Sequence, residues 1–211
     1  MEHIEPRCCF DASEYLAAPD TAPCPVTLDV PEIVRGLDAL YEHGGEAEAE
    51  SYLEAWLDRA QKCGDWRAEL TVTSELLGQY RRSTNRSRGL AAVNGALELI
   101  RAHRMGMTVS GATVMLNAAT TLKCFGLAAD SIPIFEHVCR VYSDNLDPAD
   151  YRFAGLFNNM ALSYSDTGDY ESAERCFTAA MRITEKCEYP QNELAVTLCN
   201  MAEMYDRQDH E

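Results

Sequence analysis

The chain repeats itself with a period of 42 residues, and this period limits the folds that it can adopt. When the sequence is shifted by 42, small and apolar residues fall on one another, and only the last match needs a shift of 41. Self-similarity at a fixed period is typical of stacked repeats, in which no single unit can bury its apolar face alone. We therefore expect function to lie on a surface that several units share. The best-aligned columns are Leu76, Ala118, Met160 and Met201; Leu77, Ala119, Ala161 and Ala202; and Tyr80, Leu122, Tyr164 and Tyr205.

The clearest unit covers residues 157–180 and predicts two helices joined by a tight turn. Gly168 permits the turn without a side-chain clash, and Asp169 can accept the unpaired amides that open the second helix. Small residues in both helices allow close approach of their axes. The first helix presents its apolar face at i, i+3, i+4 and i+7 through Phe157, Met160, Ala161 and Tyr164, and the second presents Ala173, Phe177 and Ala180.

This pattern resembles the tetratricopeptide repeat, over roughly residues 30–211. In the earlier unit Thr73–Leu99, Thr84 stands where the turn glycine is expected and Gly89 holds the small position. The resemblance implies an all-α fold, a right-handed α-solenoid of antiparallel helix pairs with about nine helices and no β-sheet. It also implies a module that binds proteins or peptides.

The period of 42 exceeds the usual length of about 34 residues and is similar to the longer repeats of kinesin light chains and related bacterial proteins. We expect each helix to be about one turn longer. The surplus lies between units, where Asp147-Pro148 and Tyr189-Pro190 each predict a helix start with proline at the first helical position. A looser match predicts a divergent capping repeat around Val34, Leu37, Tyr41, Gly45, Leu53 and Trp56.

The chain is expected to divide into an N-terminal arm, residues 1–29, and one repeat domain, residues 30–211, with about four helix pairs and a final unpaired helix. The arm contains four prolines and lacks the repeat, although a short helix is possible over Asp11–Ala18. Two alternatives remain open for the arm. It is either a loose terminal segment, or it packs against the superhelix or lies in its groove.

The sequence favours a cytoplasmic protein. No secretory signal follows Met1, and no apolar run reaches membrane-spanning length. Nine cysteines include no C-x-x-C pair, and an odd count without a signal sequence indicates free thiols. Cys8-Cys9 is either an inert exposed pair or a metal-binding or reactive one. We expect no cofactor and no metal.

Charge is distributed unevenly along the chain, whose net charge is −16. Residues 1–62 carry 14 acids and 4 bases, residues 63–110 carry 4 and 7, and residues 111–211 carry 16 and 7. An acidic total disfavours nucleic acid, because phosphate binding needs a basic face. One basic cluster is either a solvated face that pairs with acidic neighbours or an anchor for an acidic partner: Arg81, Arg82, Arg86, Arg88, Arg101 and Arg104.

An enzymatic function is not expected. The five histidines recur at no shared repeat position, and no phosphate-binding loop, nucleophile elbow or metal-ligand spacing appears. The acids Glu46, Glu48, Glu50 and Glu54 are interpreted as a polar helix surface rather than a converging catalytic pair.

A column of asparagines is the candidate site. The residue before the small pair is Glu75, Asn117, Asn159 and Asn200 in successive units, and in tetratricopeptide arrays this position faces the concave groove. Asparagine disfavours helices, so three in register need an explanation. The amide can bind the backbone of an extended peptide, or it bonds only to water or a neighbouring helix. The predicted groove comprises Asn117, Asn159, Asn200, Asn158, Thr113, Thr120, Lys123, Leu162, Glu203, Arg81 and Arg82.

The groove lacks the basic clamp with which some relatives grip a C-terminal carboxylate. The comparable positions hold no base: Thr71, Thr113, Gly155 and Val196, then Ser74, Leu116, Asn158 and Cys199. Charges at its ends are instead expected to polarise the groove, with Arg81, Arg82 and Lys123 at one end and Asp166, Glu203 and Asp206 at the other.

Three functions remain open at this point: an interaction module that binds an extended peptide, a ligand-sensing domain of a larger signalling protein, and a self-assembling scaffold. The last helix bears on the third. It repeats a first helix without a following second one, which suggests a cap, a fragment or a homodimer through this helix. We expect Met201 and Tyr205 to be buried, and Val196 and Met204 to make an intermolecular contact.

Overall fold

The computed structural model describes residues 10–18, 27–186 and 191–210, and these form nine α-helices, one 3-10 turn and no β-strand. The all-α class is confirmed. The 3-10 turn spans Ala12–Tyr15. The helices are α1 Val30–Glu42, α2 Glu46–Cys63, α3 Trp66–Arg82, α4 Arg86–Ala102, α5 Val109–Cys124, α6 Ala128–Asn145, α7 Arg152–Asp166, α8 Tyr170–Thr184 and α9 Gln191–His210.

Polar caps begin several helices. The side chain of Asp169 accepts a hydrogen bond from the Ser172 amide, so the predicted cap of α8 is confirmed. Asp29, Asp65 and Asn85 cap α1, α3 and α4 in the same way. Each satisfies an amide that has no partner within the first helical turn. The helix starts are therefore specified locally, by single residues.

The turns between α3 and α4, and between α7 and α8, share a left-handed residue. Gly168 has φ 80°, and Thr84 has φ 53° at the position 84 residues earlier. Glycine adopts this conformation freely, whereas a β-branched residue is strained in it. Thr84 therefore occupies the predicted turn position with backbone strain that Gly168 does not have.

Helices that follow one another in sequence pack together, as α2 does with α3, α3 with α4, α7 with α8 and α8 with α9. Connections of two or three residues join α2 to α3, α3 to α4 and α7 to α8, and such short connections make the joined helices antiparallel. We call α3, α5, α7 and α9 the first helices, and α4, α6 and α8 the second helices. The second helices begin at Arg86, Ala128 and Tyr170, which are 42 residues apart.

The chain forms two compact units, residues 1–121 and 122–211. We refer to them as unit 1 and unit 2. The expected division into an arm (1–29) and a single repeat domain (30–211) stays a prediction.

The core of unit 1 joins α1, α2 and α3. It consists of Ile33, Leu37, Ala49, Leu53, Val72, Leu76 and Tyr80, with Tyr41 and Trp56 half-buried against it. Leu37 and Leu53 thus hold the buried positions that were expected of the divergent first repeat.

The N-terminal segment is packed rather than loose over the residues that are described, 10–18. Tyr15 is buried and stacks on Phe10. Glu14 forms an ion pair with Arg101 of α4 at 3.0 Å. A β-carbon added to Gly106 would lie 2.3 Å from the carbonyl oxygen of Tyr15, so the segment lies directly on the backbone after α4. The predicted helix over Asp11–Ala18 is reduced to the shorter 3-10 turn, and Cys8-Cys9 lies outside the described residues.

The core of unit 2 centres on Phe177, which is fully buried with Ala161, Ala173 and Met204. The half-buried Tyr164 packs against this cluster, and its hydroxyl donates to Glu136 Oε1 at 3.1 Å. The predicted apolar faces of α7 and α8 are therefore confirmed.

The predicted helix start at Asp147-Pro148 is wrong, because α7 begins at Arg152. The backbone amide of Asp150 donates to the Asp147 carbonyl at 2.8 Å, which closes a separate turn before the helix. Asp150 then accepts from the amide of Arg152 at 3.0 Å and from its guanidinium. The other predicted start, Tyr189-Pro190, lies outside the described residues.

The expectation for α9 is wrong for two of its four residues. Met204 is buried, at 1% exposure, and Tyr205 is 38% exposed, whereas we expected the reverse. Met201 is half-buried, and Val196 is exposed as expected. The buried stripe of α9 faces α7 and α8, and Met204 lies at the register of the buried Ser163 of α7, 41 residues earlier. Tyr205 lies at the register of Tyr164, which packs against the helix that follows its own.

Candidate functional site

In unit 1, the amide of Asn117 on α5 bonds to the neighbouring first helix. Its Nδ2 atom donates to Ser74 Oγ on α3 at 2.9 Å. The residue is half-buried on that face. The bond uses one of the two N–H donors of the amide and leaves its orientation fixed.

Arg81 also serves this contact between α3 and α5. Its Nη1 atom donates to the Asn117 carbonyl at 3.2 Å and to Thr121 Oγ1 at 2.8 Å. Its position therefore depends on partners within unit 1.

Arg82 lies against α1. Its Nε atom donates to Gln79 Oε1 at 3.0 Å, and its guanidinium carbon lies 5.2 Å from the centre of the Tyr41 ring. Gln79 Nε2 donates to the Tyr41 hydroxyl at 2.6 Å. Arg82 is therefore held beside Tyr41 of α1, while its guanidinium stays exposed to solvent.

Glu75 lies two helical turns before Arg82 on α3. Removal of water by the surrounding protein raises the pKa of its carboxyl; Arg82 opposes the rise, Asp38 adds to it and Arg81 opposes it. The residue nevertheless remains exposed.

In unit 2, Asn200 repeats the arrangement of Asn117. Its Nδ2 atom donates to Asn158 Oδ1 on α7 at 3.2 Å, across 42 residues. Asn159 instead donates to the Gly155 carbonyl of its own helix at 2.9 Å. Two of the three predicted asparagines thus bridge neighbouring first helices, and the third bonds within its helix.

The two threonines of the predicted groove bond to their own helix as well. Thr113 Oγ1 donates to the Val109 carbonyl at 2.9 Å, and Thr120 Oγ1 donates to the Leu116 carbonyl at 2.8 Å. Leu162 packs partly buried against the core of unit 2.

The prediction that places Lys123 and Asp166 at opposite ends of the groove is wrong, because the two residues lie together. Their Nζ and Oδ2 atoms are 3.9 Å apart in unit 2. Arg207 bonds to the same Asp166 at 2.8 Å and also to Glu203. All of these residues stand in the C-terminal turns of first helices, so the antiparallel pairing brings both signs of charge to one edge of the unit. Arg81 and Arg82 occupy the last turn of α3.

The basic cluster of unit 1 is partly paired internally. Arg88 forms ion pairs with Glu50 and Glu54, and Arg101 with Glu14. Glu54 also accepts from the Tyr80 hydroxyl at 3.1 Å, and burial together with this carboxylate raises the pKa of Tyr80 to about 12. Glu50 and Glu54, on the polar surface of α2, therefore both contact Arg88.

Unit 2 contains a recess that the sequence did not reveal as a whole. Its volume is about 200 Å³, and it lies where α7, the end of α8 and the start of α9 meet. Gly155, Asn158 and Val196 were recognised as groove positions from the register, whereas Ala154, Thr184, Asn192, Glu193 and Thr197 were not. Thr184 ends the second helix, and a register of first helices alone cannot find it.

Other kinds of site have little support in the described part of the chain. It contains no group of three or more histidines, cysteines and acids placed to hold a metal ion. None of its helices has both the length and the apolar character needed to cross a membrane.

Comparison with known proteins supports the fold assignment. Residues 152–211, which include α7, α8 and α9, match the family model of the tetratricopeptide repeat. No curated protein matches the sequence.

Among solved structures, the chain is similar to BtubC (BKLC) from P. vanneervenii, with a TM-score of 0.70 and 20% identity over 84% of this chain and 72% of that one. BtubC is a kinesin light chain-like tetratricopeptide protein, and at this identity the likeness shows the fold alone. Residues 152–211 therefore consist of tetratricopeptide repeat sequence, and the chain has a tetratricopeptide-like helical fold.

Proposed function

We propose that this protein is an interaction module that binds an extended peptide or partner segment on its first helices. Tetratricopeptide repeats are generally protein-interaction modules, and such folds are typically non-catalytic. The finer proposal rests on the asparagines that recur at one register of these helices.

The supporting observation is that asparagine amides in both units are held by a neighbouring first helix, at 2.9 Å for Asn117 and 3.2 Å for Asn200. Each bond orients an amide that still has a second N–H donor or acceptor capacity for the carbonyl and amide groups of a ligand backbone. Such preorganisation lowers the entropic cost of binding. Binding through the backbone would tolerate varied ligand side chains.

The test begins with a library of random linear peptides displayed on phage and selected on the intact chain. Enriched peptides are synthesised and titrated against the wild type and the double variant Asn117→Ala, Asn200→Ala. Each neutral hydrogen bond contributes about 0.5–1.5 kcal/mol, so the affinity should fall roughly five- to hundredfold.

Asn145→Ala is the matched control. Asn145 Nδ2 donates to the Val141 carbonyl at 2.8 Å, so its amide is also held by one hydrogen bond, but it lies on a second helix, α6. Its loss should leave peptide affinity unchanged. Equal binding by the double variant and the wild type would remove the asparagine hypothesis.

A second candidate, self-assembly, is favoured by the exposed face of α9. Leu198 and Tyr205 are 46% and 38% exposed. Ala202 and Tyr205 lie 41 residues after Ala161 and Tyr164, which pack against Ala173 and Phe177 of α8. A second copy of the chain could cover this strip. The third function, ligand sensing within a larger protein, has no further observation in its favour.

We also propose a cytoplasmic location. The described cysteines Cys63, Cys124, Cys139, Cys176 and Cys199 are free thiols, which suits a reducing compartment.

A further inference from the structure

The recess of unit 2 is suited to one apolar side chain. At about 200 Å³ it exceeds an engineered apolar cavity of about 150 Å³ that holds benzene. Its walls include Ala154, Val196 and the Thr184 side chain. A leucine, methionine or phenylalanine side chain fits within this space.

Gly155 keeps the recess open. A β-carbon built on this residue would meet no atom within 4 Å. Neither close packing nor a left-handed backbone therefore explains the glycine, although it costs a helix roughly 1 kcal/mol relative to alanine. Any larger side chain at this position would project into the recess.

The rim of the recess has a side-chain amide on one side and an acidic group on the other. Asn158, which accepts the bond from Asn200, lines one side, and Glu193 lines the other. Glu193 forms no ion pair with any other described residue. Residues 122–211 carry 16 acids and 7 bases, so a basic ligand is complementary to unit 2.

We infer that the recess between α7, α8 and α9 receives one apolar side chain of an extended, basic partner segment, and that a lysine or arginine beside it pairs with Glu193. The inference rests on the proposed peptide-binding function and specifies its ligand. Asn158 and Asn200 hold the backbone next to the inserted side chain, and the recess selects the side chain itself.

The experiment uses the phage library of random linear peptides, selected on the intact wild-type chain. The enriched peptides should share an apolar residue next to lysine or arginine. Their affinity for Gly155→Leu should fall roughly ten- to hundredfold, since the introduced side chain occupies the space of the ligand side chain. Gly155→Ala, which fills little of the recess, should bind nearly as the wild type does.

One further variant controls for the glycine-to-leucine exchange itself, and another tests the recess from its opposite wall. Gly95→Leu places the same exchange on α4, where the added β-carbon also meets nothing within 4 Å, and it should leave binding unchanged. Val196→Gln changes the opposite wall through a residue that is 55% exposed, so it tests the recess even if Gly155→Leu fails to fold. Thermal unfolding of every variant is followed by circular dichroism.

The proposed ion pair between Glu193 and the partner segment is tested separately, by peptide affinity. Glu193→Gln should weaken a lysine-containing peptide roughly two- to fivefold, and it should not affect the same peptide with glutamine in place of lysine.

The outcomes separate the two proposals. Peptides that bind Gly155→Leu and Val196→Gln as tightly as the wild type would overturn the inference and leave peptide binding intact. Enrichment of acidic peptides, or of peptides without an apolar residue, would also overturn it. A selection that enriches no peptide on the wild type would reject the proposed function, and the inference with it.

Discussion

Single residues specify where the helices start and where the chain turns between them, and Thr84 is strained at one of these turns. It adopts φ 53°, in register with Gly168 at φ 80°. The turn is closed by the Asn85 amide, which donates to the Tyr80 carbonyl at 2.9 Å, as the Asp169 amide does to Tyr164. The fold therefore imposes the left-handed conformation on a residue that disfavours it.

We predict that Thr84→Gly stabilises the protein, because glycine relieves roughly 1–2 kcal/mol of left-handed strain, less the larger backbone entropy of glycine in the unfolded chain. The midpoint of urea unfolding should rise slightly. The reciprocal exchange Gly168→Thr should lower it by a larger amount. Destabilisation by both exchanges would show that Thr84 makes compensating contacts.

Partners across helices decide how the candidate residues act. Lys123 lies beside Asp166, and Arg81 bonds to Asn117 and Thr121. An exposed or half-buried ion pair contributes little stability, so such contacts orient side chains more than they hold the helices together. The edge of unit 2 is consequently mixed in charge.

Among the elements, the 3-10 turn Ala12–Tyr15 packs against α4 and the residues after it. Glu14 pairs with Arg101 of α4, and the Tyr15 carbonyl lies against Gly106, which has no side chain to block it. Only glycine leaves room for the Tyr15 carbonyl there. This contact connects the N-terminal segment to unit 1.

We predict that Gly106→Ala displaces this segment, since the new β-carbon would lie 2.3 Å from a backbone oxygen. Hydrogen exchange at residues 12–15 should accelerate, while exchange in α2 and α3 stays nearly constant. Gly78→Ala is the control, because its β-carbon approaches only the flexible ends of two arginines, at 3.7 and 3.9 Å. Unchanged protection of residues 12–15 in Gly106→Ala would show that the turn does not depend on this contact.

The helix α9 illustrates how packing assigns a face. Its buried residues, Thr197 and Met204, are those that meet α7 and α8, whereas Leu198 and Tyr205 remain exposed. The Tyr205 hydroxyl still donates to Glu174 Oε1 at 2.6 Å. The exposed strip of α9 thus has one polar contact to α8, at Tyr205, while the apolar side chain of Leu198 faces solvent.

At the scale of the whole molecule, the net charge of −16 opposes self-association, while the exposed strip of α9 favours it. Salt screens repulsion between like-charged chains, with a Debye length of about 8 Å at physiological ionic strength. The balance between the two effects therefore depends on salt.

If the strip joins two copies, we predict that the sedimentation-derived mass rises with protein concentration, and more so at high salt. Leu198→Glu should abolish the rise, because it places a charge in the apolar contact. Leu16→Glu is the matched control, since Leu16 is 57% exposed on the N-terminal segment. A monomer under all of these conditions would rule out self-assembly through this strip.

Features that depend on local geometry and on the repeat could be predicted from the order of the amino acids. The cap at Asp169, the turn at Gly168 and the buried Phe177 were all predicted, because each follows from a neighbouring residue or from the helical period. The asparagine register was also visible in the sequence, although the partners of the amides were not.

Which side chains meet could not be predicted, because it depends on how the helices pack together. The pairing of Lys123 with Asp166, the burial of Met204 and the recess at Gly155 join residues from different helices, up to about one repeat apart in sequence. A periodic pattern defines which face of a helix is apolar, but the rotation of that helix against its neighbours depends on the side chains of all the elements that it contacts. Packing between the helices therefore fixed the site, after the sequence had defined the helices.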